Sequence, residues 1–146
     1  MWKIKKFDEL TNRELYKIYA LRSDVFIVDQ NRIYRDQDEN DLNAFHIFKE
    51  KNGDLVAYAR VFLESDKNKV TFGRVVTSNL VRGTGIGKEL MNQIMNLIHN
   101  KFSGLTIEIE AQEPVQGFYK QFGFKSVGDV FIHASTPHIK MIHDRI

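Results

Sequence analysis

The segment Val81–Leu90, VRGTGIGKEL, sets glycines at 83, 85 and 87 and runs straight into an apolar stripe of Ile86, Leu90, Ile94, Leu97 and Ile98 at helical spacing. Glycine at a helix entrance weakens local structure. What it provides is bare backbone N–H at the positive end of the helix dipole, the arrangement that receives phosphate. Spacing separates the versions of such a site. A Walker loop counted back from Gly87-Lys88 needs glycine where Arg82 stands and Ser or Thr where Glu89 stands. A dinucleotide fingerprint started at Gly83 or Gly85 meets Lys88 or Leu90 at its third glycine position. The pattern that does fit is Arg82-x-x-Gly85-x-Gly87, after the strand-like RVVT and before an amphipathic helix.

That pattern resembles the acyl-CoA loop, R/Q-x-x-G-x-G/A, of the GNAT superfamily of N-acyltransferases, whose backbone amides hold the pyrophosphate of coenzyme A. A second stretch, QEPVQGFYKQFGF from Gln112 to Phe124, is similar to the family's N-x-x-A-x-x-F-Y-x-x-x-G-F. Phe118, Tyr119, Gly123 and Phe124 match it. Val115 stands for the usual small residue, and Gln112 for the usual Asn, keeping the amide with a longer reach. The resemblance covers nearly the whole chain. It implies cofactor contacts from Arg82, Gly83, Thr84, Gly85, Ile86, Gly87 and Lys88 to pyrophosphate, from Val75, Val76 and Thr77 to pantetheine, and from Gln112 and Tyr119.

The implied reaction moves an acetyl group from acetyl-CoA to an amine. The thioester oxygen gains negative charge and needs a fixed donor; the resemblance assigns this to a backbone N–H of Val75, Val76 or Thr77. Tyr119 matches the family's general acid, and a phenol of pKa near about 10 keeps its proton for the leaving thiolate at neutral pH. The amine must lose a proton. Glu110, at the end of its strand, is the first candidate for the base, followed by His138 and Asp38.

The N-terminal half, through LRSDVFIVDQ, YRDQDENDL, LVAYARVF and GRVVTS with the late TPHIKM, looks like the ElaA group of small GNAT proteins. It also resembles acyl-homoserine-lactone synthases in Arg22-x-x-Val25-Phe26, Asp38-x-x-Asp41 and Ala59-Arg60, an alternative chemistry. DQDENDL begins like a calcium loop, but Asp41 stands where Gly is needed and Ile47 where Glu is needed. Residues 29–41 hold five carboxylates against Arg32 and Arg35. Asp36, Asp38 and Asp41 are therefore expected to wall the acceptor site, with His138, and to attract a cationic amine. The five histidines show no close i, i+4 pair on a helix, so no metal site is expected.

The elements that must position these groups follow from periodicity. Thr11 and Glu14 form a capping-box pattern ahead of a helix over about 11–26. Residues 27–43 lack clear periodicity and read as a long loop with short turns. AFHIFKE and LVAYARVFL, joined through Asn52-Gly53, and then VTFGRVV, predict three antiparallel strands. A helix to about Asn100 and the strand LTIEIEA imply a parallel crossover. Pro114 opens another helix that Gly123 ends, with Val115, Phe118 and Phe122 on one face. SVGDVFIHA and HIKMIH close the chain. The order β, α, three β, α, β, α, β, β predicts a mixed α/β sheet with helices on both faces, as one domain over 1–146; the resemblance implies that this is the GNAT fold, a mostly antiparallel twisted sheet.

Composition is that of an ordinary globular domain, with eleven Phe and five Tyr for the core. There is no cysteine, so thiol nucleophiles and disulfides are excluded. A net charge of +2 without an Arg/Lys-rich stripe argues against nucleic acid. The N-terminal MWKIKKFDEL lacks the apolar run of a signal peptide, and no window has the roughly 18 apolar residues of a membrane span; a cytoplasmic protein is expected. The expected partners are acetyl-CoA and a small-molecule or peptide amine, and a homodimer is allowed. The remaining alternative class is a CoA-binding module without turnover.

Overall fold

The structure, a computed structural model, describes residues 1–66 and 68–146. Strand β1 (Trp2–Lys6) leads into helix α1 (Asn12–Arg22), whose capping box is formed: Glu14 N–H donates to Thr11 Oγ1 at 3.1 Å and Thr11 N–H to Glu14 Oε1 at 2.9 Å. The predicted helix does run past residue 22, but as a π-helical segment over Ser23–Asp29. After an irregular stretch and the single turn α2 (Asn40–Asn43) come β2 (Phe45–Lys51), β3 (Asp54–Leu63) and β4 (Lys69–Thr77). Asn52 and Gly53 both take positive φ, 54° and 85°, which is the primed hairpin turn that this dipeptide favours. The chain continues through α3 (Ile86–Lys101), β5 (Thr106–Gln112), α4 (Gln116–Lys120), β6 (Lys125–His133) and β7 (Thr136–His143).

The strands form one seven-stranded sheet in the order β1-β2-β3-β4-β5-β7-β6. Every neighbouring pair is antiparallel except β4 and β5, which are joined by the predicted crossover through α3 and are parallel. Residues 55–61 of β3 are buried throughout, as a strand covered on both faces must be. One face packs on α3, whose Ile86, Leu90, Met91, Ile94, Leu97 and Ile98 are buried against β2 to β5. Each is worth roughly 1.5–3 kcal/mol over leaving it in water. The other face, with Phe48, Leu55, Tyr58 and Val76, packs on Ile18 and Leu21 of α1 and on Phe26.

Two irregularities open the middle of the sheet. The β4–β5 pairing holds only at Lys69↔Thr106 and Val70↔Ile107, so the strands splay beyond it. In β4, Val76 faces Tyr58 and Gly73 faces Arg60, so Arg74 and Val75 stand opposite the single residue Ala59. This is a β-bulge, and Arg74 within it has φ 51°, in the left-handed region. Helix α4 is shorter than predicted: a 3₁₀ turn over Glu113–Val115 precedes it, and Val115 is exposed rather than on a buried face. Gly123 ends the segment at φ 90°. No helix among the described residues is long and apolar enough to cross a membrane.

Candidate active site

The gap between β4 and β5 is a cleft of about 280 Å³ that passes through the sheet. Its walls are the splayed strand ends, Phe72 to Thr77 and Ile109 to Gln112. Arg82 and Tyr119 line it from the side of α3 and α4, and Val25, Phe26, Gln30, Arg32 and Tyr34 from the side of α1. His133 and His138, on the β6–β7 hairpin, complete it.

At the α3 mouth, Gly83 and Gly85 take φ 82° and 84°, which non-glycine residues rarely adopt, and Gly85 is the N-cap of α3. The first helical bond runs from Glu89 N–H to Gly85 O at 3.2 Å. The amides ahead of it therefore have no intrahelical acceptor. Residues 82–85 are exposed, and Arg82 stands beside those amides on the cleft wall. Exposed N–H groups ahead of a helix are the arrangement that can receive an anion. Gly87 is different: a Cβ there would make only an ordinary contact with the Phe118 ring at 3.6 Å, so packing does not require glycine at that position.

Tyr119 is buried among Phe72, Phe118 and Phe124, with ring centroids 5.9, 5.3 and 6.2 Å away. Burial pushes its phenol well above the ordinary value, so the hydroxyl keeps its proton. The sequence places Val75, Val76 and Thr77 at the splay, and all three line the cleft. Thr77 and Val76 still have register partners on β3; Val75, in the bulge, has none there.

Glu110 and His138 both line the cleft, on neighbouring strands. His138 Nδ1 lies 2.8 Å from the Thr136 carbonyl. A carbonyl only accepts, so Nδ1 carries the proton and Nε2 keeps its lone pair. Burial pulls the imidazole below its usual pKa. His133 and the Arg32 guanidinium act in the same direction, and with burial they outweigh the Thr136 bond and the Glu110 charge. Gln112, expected to reach the cofactor, donates from Nε2 to Gln30 Oε1 at 3.1 Å and so ties β5 to the α1 side.

The expected anionic wall is not there. Asp36 and Asp41 are buried and Asp38 is half-exposed, and none of the three lines the cleft. All three are held by arginines. Arg22 Nε reaches Asp36 at 2.8 Å and Arg22 Nη1 reaches Asp41 at 2.7 Å; Arg60 Nη1 binds Asp38 at 2.6 Å and Asp41 at 2.9 Å. Arg74 adds Asp36 at 2.9 Å and Asp38 at 3.7 Å. Burial favours the neutral acids, but the arginine partners outweigh it and keep Asp38 and Asp41 below the usual carboxylate range. Three carboxylates against three guanidiniums leave no net field to draw a cation. His46, at the edge of this cluster, has Nε2 at 2.8 Å from the Asp41 carbonyl and Nδ1 at 2.7 Å from the Tyr58 hydroxyl.

Sequence reasoning did not single out Gln30, Tyr34, Arg74 or His133, and it treated Arg32 only as an offset to the acids. Val25 and Phe26 fall at helical spacing in the sequence, but nothing there marks the π-helical turn that carries them to the cleft, and nothing in a strand pattern marks Arg74 as a bulge residue.

Comparison with known proteins agrees with this geometry. Residues 21–144 match the model of the acetyltransferase (GNAT) domain. The chain is 36% identical to the protein ElaA of Escherichia coli, over 99% of this chain and 97% of ElaA. It is 39% identical to a UPF0039 protein of Schizosaccharomyces pombe, over 94% and 92% of the two chains. Its fold superposes on the crystal structure of E. coli ElaA with a TM-score of 0.92, at 35% identity over 99% of both chains. It superposes on an acyl-CoA N-acyltransferase of Pseudomonas aeruginosa with a TM-score of 0.91, at 32% identity over 98% of both. A sheet split beyond its one parallel pair, an amide-rich loop at the mouth of the following helix and this likeness along the whole length lead to one assignment: the chain belongs to the GNAT acetyltransferase family.

Proposed function

We propose that the protein is an N-acetyltransferase that moves the acetyl group of acetyl-CoA to a small amine by direct attack. The observation that carries this reading is the through-sheet cleft. It has an anion-receiving loop and Arg82 at one mouth, a protonated phenol inside it, and a neutral imidazole with a free lone pair toward the other mouth. An acyl-CoA donor is supported by the family and by the likeness to the Pseudomonas acyl-CoA N-acyltransferase.

In this reading the amides of Gly83 and of residues 85–88, with Arg82, take the pyrophosphate, while the Thr84 amide stays on the Val81 carbonyl at 3.2 Å; the pantetheine arm runs along Val75 to Thr77 into the gap. The amine enters from the α1 side. Its nitrogen attacks the thioester carbon, and the oxygen that gains charge is met by a fixed amide, for which Val75 in the bulge is best suited. The C–N bond forms, the C–S bond breaks, and the thiolate takes the proton of Tyr119. The proton released by the attacking nitrogen passes to His138 Nε2, with Glu110 as the second candidate. His138 is preferred because burial pulls its imidazole below the usual value, so that Nε2 is an unprotonated acceptor at neutral pH.

The reading is tested by release of free thiol from acetyl-CoA over a panel of amines, beside a direct measurement of acetyl-CoA binding. Thiol release that requires an amine supports it. Tight binding with no turnover across the panel makes the protein a CoA-binding module instead.

A further inference from the structure

Arg32 is 7% exposed, lines the cleft, and is held entirely by neutral groups. Its Nε donates to the Ala134 carbonyl at 3.1 Å, Nη1 to Gln30 Oε1 at 3.3 Å and Nη2 to the His133 carbonyl at 3.4 Å. Its guanidinium stands 4.5 Å from the centre of the Tyr34 ring. The two other buried arginines contrast with it: Arg22 holds Asp36 and Asp41, and Arg60 holds Asp38 and Asp41. Among the described residues no carboxylate is paired with Arg32. A buried cation without an anion is costly, and here it sits in a wall that a ligand can reach.

A guanidinium offers five N–H donors in a fixed fork. Three are used, leaving one on Nη1 and one on Nη2. Two adjacent N–H groups of one guanidinium match the two oxygens of a carboxylate. The position is also fixed relative to the acid–base groups. Arg32 bonds the carbonyls of His133 and Ala134, and the His133 ring packs edge-on against His138 at 5.5 Å. Those bonds hold a strained turn, since Ala134 and Ser135 both take positive φ, 48° and 65°, without a glycine.

We infer that Arg32 is the carboxylate subsite of the acceptor, and that the acceptor is a small amino acid whose amine faces His138 while its carboxylate lies on the free fork of Arg32. The inference rests on the acetyl-transfer reading above and gives it a substrate class: amino acid and acetyl-CoA in, N-acetyl amino acid and free CoA out. Polyamines and aminoglycosides, which an acidic wall would have drawn, lack the group that Arg32 awaits.

The test pairs binding with turnover. CoA-loaded protein is titrated calorimetrically with N-acetyl amino acids and with the corresponding C-terminal amides, and thiol release is followed with free amino acids, their amides, phosphoethanolamine and spermidine. At least one carboxylate should bind and react about 10- to 100-fold better than its amide, the range expected when a site built around a polar group meets a ligand lacking it. Arg32→Gln should bring the carboxylate down to the level of its amide while acetyl-CoA affinity holds. Because Arg32 also fastens the hairpin, the same comparison is made in a chain carrying Ala134→Asn and Ser135→Gly, residues that favour this turn and keep it formed without the strap. Carboxylate binding without turnover would overturn the acetyl-transfer reading and keep the subsite. Equal handling of acid and amide, preference for spermidine or phosphoethanolamine, absence of carboxylate binding, or an equal loss for acid and amide in Arg32→Gln would each overturn the subsite.

Discussion

Arg74 occupies the left-handed region at φ 51° in the middle of β4, and its guanidinium holds Asp36 twice, from Nε to Oδ1 at 2.9 Å and from Nη2 to the backbone carbonyl at 2.8 Å. The bulge that frees Val75 from β3 is thereby fastened to the segment after the π-helical turn. Asp36 also accepts from Arg22 Nε at 2.8 Å and from the Tyr34 hydroxyl at 2.7 Å, so one buried carboxylate joins α1, the cleft wall and the bulge.

Asp36→Ala should destabilise the protein by about 3–5 kcal/mol, the cost of leaving buried charges unpartnered. Chemical denaturation measures this directly. The acceptor KM should change less than kcat, because the carboxylate holds the bulge rather than the substrate. A fully stable Asp36→Ala protein with only a raised acceptor KM would return Asp36 to the binding wall.

Tyr119→Phe should lower kcat by about 10²- to 10⁴-fold, the usual worth of a positioned acid. It should leave acetyl-CoA affinity and folding nearly unchanged, since the aromatic packing with Phe72, Phe118 and Phe124 is kept. Single-turnover kinetics with calorimetric CoA binding separates the two effects. Retained kcat would move the proton donor to water or another group.

The contrast between Tyr119 and Asp36 shows what was legible. The glycine loop and the phenol announce themselves because spacing and residue type are the whole signal: a left-handed turn wants Gly, and a buried acid wants an aromatic segment around it. The three antiparallel strands β2 to β4 and the parallel crossover to β5 were readable for the same reason, from apolar patterning and Asn52-Gly53; the placement of β7 between β5 and β6 was not. The acids of residues 36–41 carry no such mark. A carboxylate run looks identical in sequence whether it faces water or three arginines, and nothing in the helix and strand patterns that hold Arg22, Arg60 and Arg74 says that these arginines pair with it. Residues 27–43 showed no clear period because they run from the end of the π-helical segment through an irregular stretch into a single helical turn. Long-range pairing, which decides the sign of the acceptor site, is therefore what a linear reading inverts.

His138→Gln should lower kcat and remove the acid limb of its pH profile. With the imidazole below its usual pKa, the base is unprotonated at pH 7 and is lost as the pH falls through that lowered value. The midpoint of the wild-type acid limb should therefore lie below the ordinary imidazole value. Glu110→Gln is the discriminating partner. If the limb survives in His138→Gln and vanishes in Glu110→Gln, the base is the carboxylate.

Gly85→Ala isolates the loop. Nothing lies within 4 Å of the Cβ it would add, so the protein itself has room for it. The cost is the left-handed backbone, about 1–2 kcal/mol, together with a methyl group where a diphosphate must approach the amides. Acetyl-CoA affinity should fall by more than the small drop in stability explains, and Arg82→Ala should weaken it further in a salt-dependent way. Calorimetry at two ionic strengths reads both. Unchanged affinity in both variants would place the nucleotide elsewhere.

Glu14 provides a stability test far from the cleft. It caps α1 and receives Lys5 Nζ at 2.9 Å and Lys3 Nζ at 3.1 Å, clamping β1 to the helix. Burial would raise this carboxyl, but the Thr11 amide and the two lysines outweigh it and hold it down at about 2. A depressed acid stabilises the fold above its unfolded pKa near about 4.3 and loses that contribution as the pH falls toward the folded value. Glu14→Gln can still close the capping box but no longer offers a charged acceptor to Lys3 and Lys5, so it should be less stable than wild type at pH 7 by roughly 1.5–3 kcal/mol. The gap between their urea midpoints should close between about pH 4.5 and 2. A gap that is the same at pH 7 and at pH 2.5 would mean that Glu14 acts by shape alone and that its charge contributes nothing.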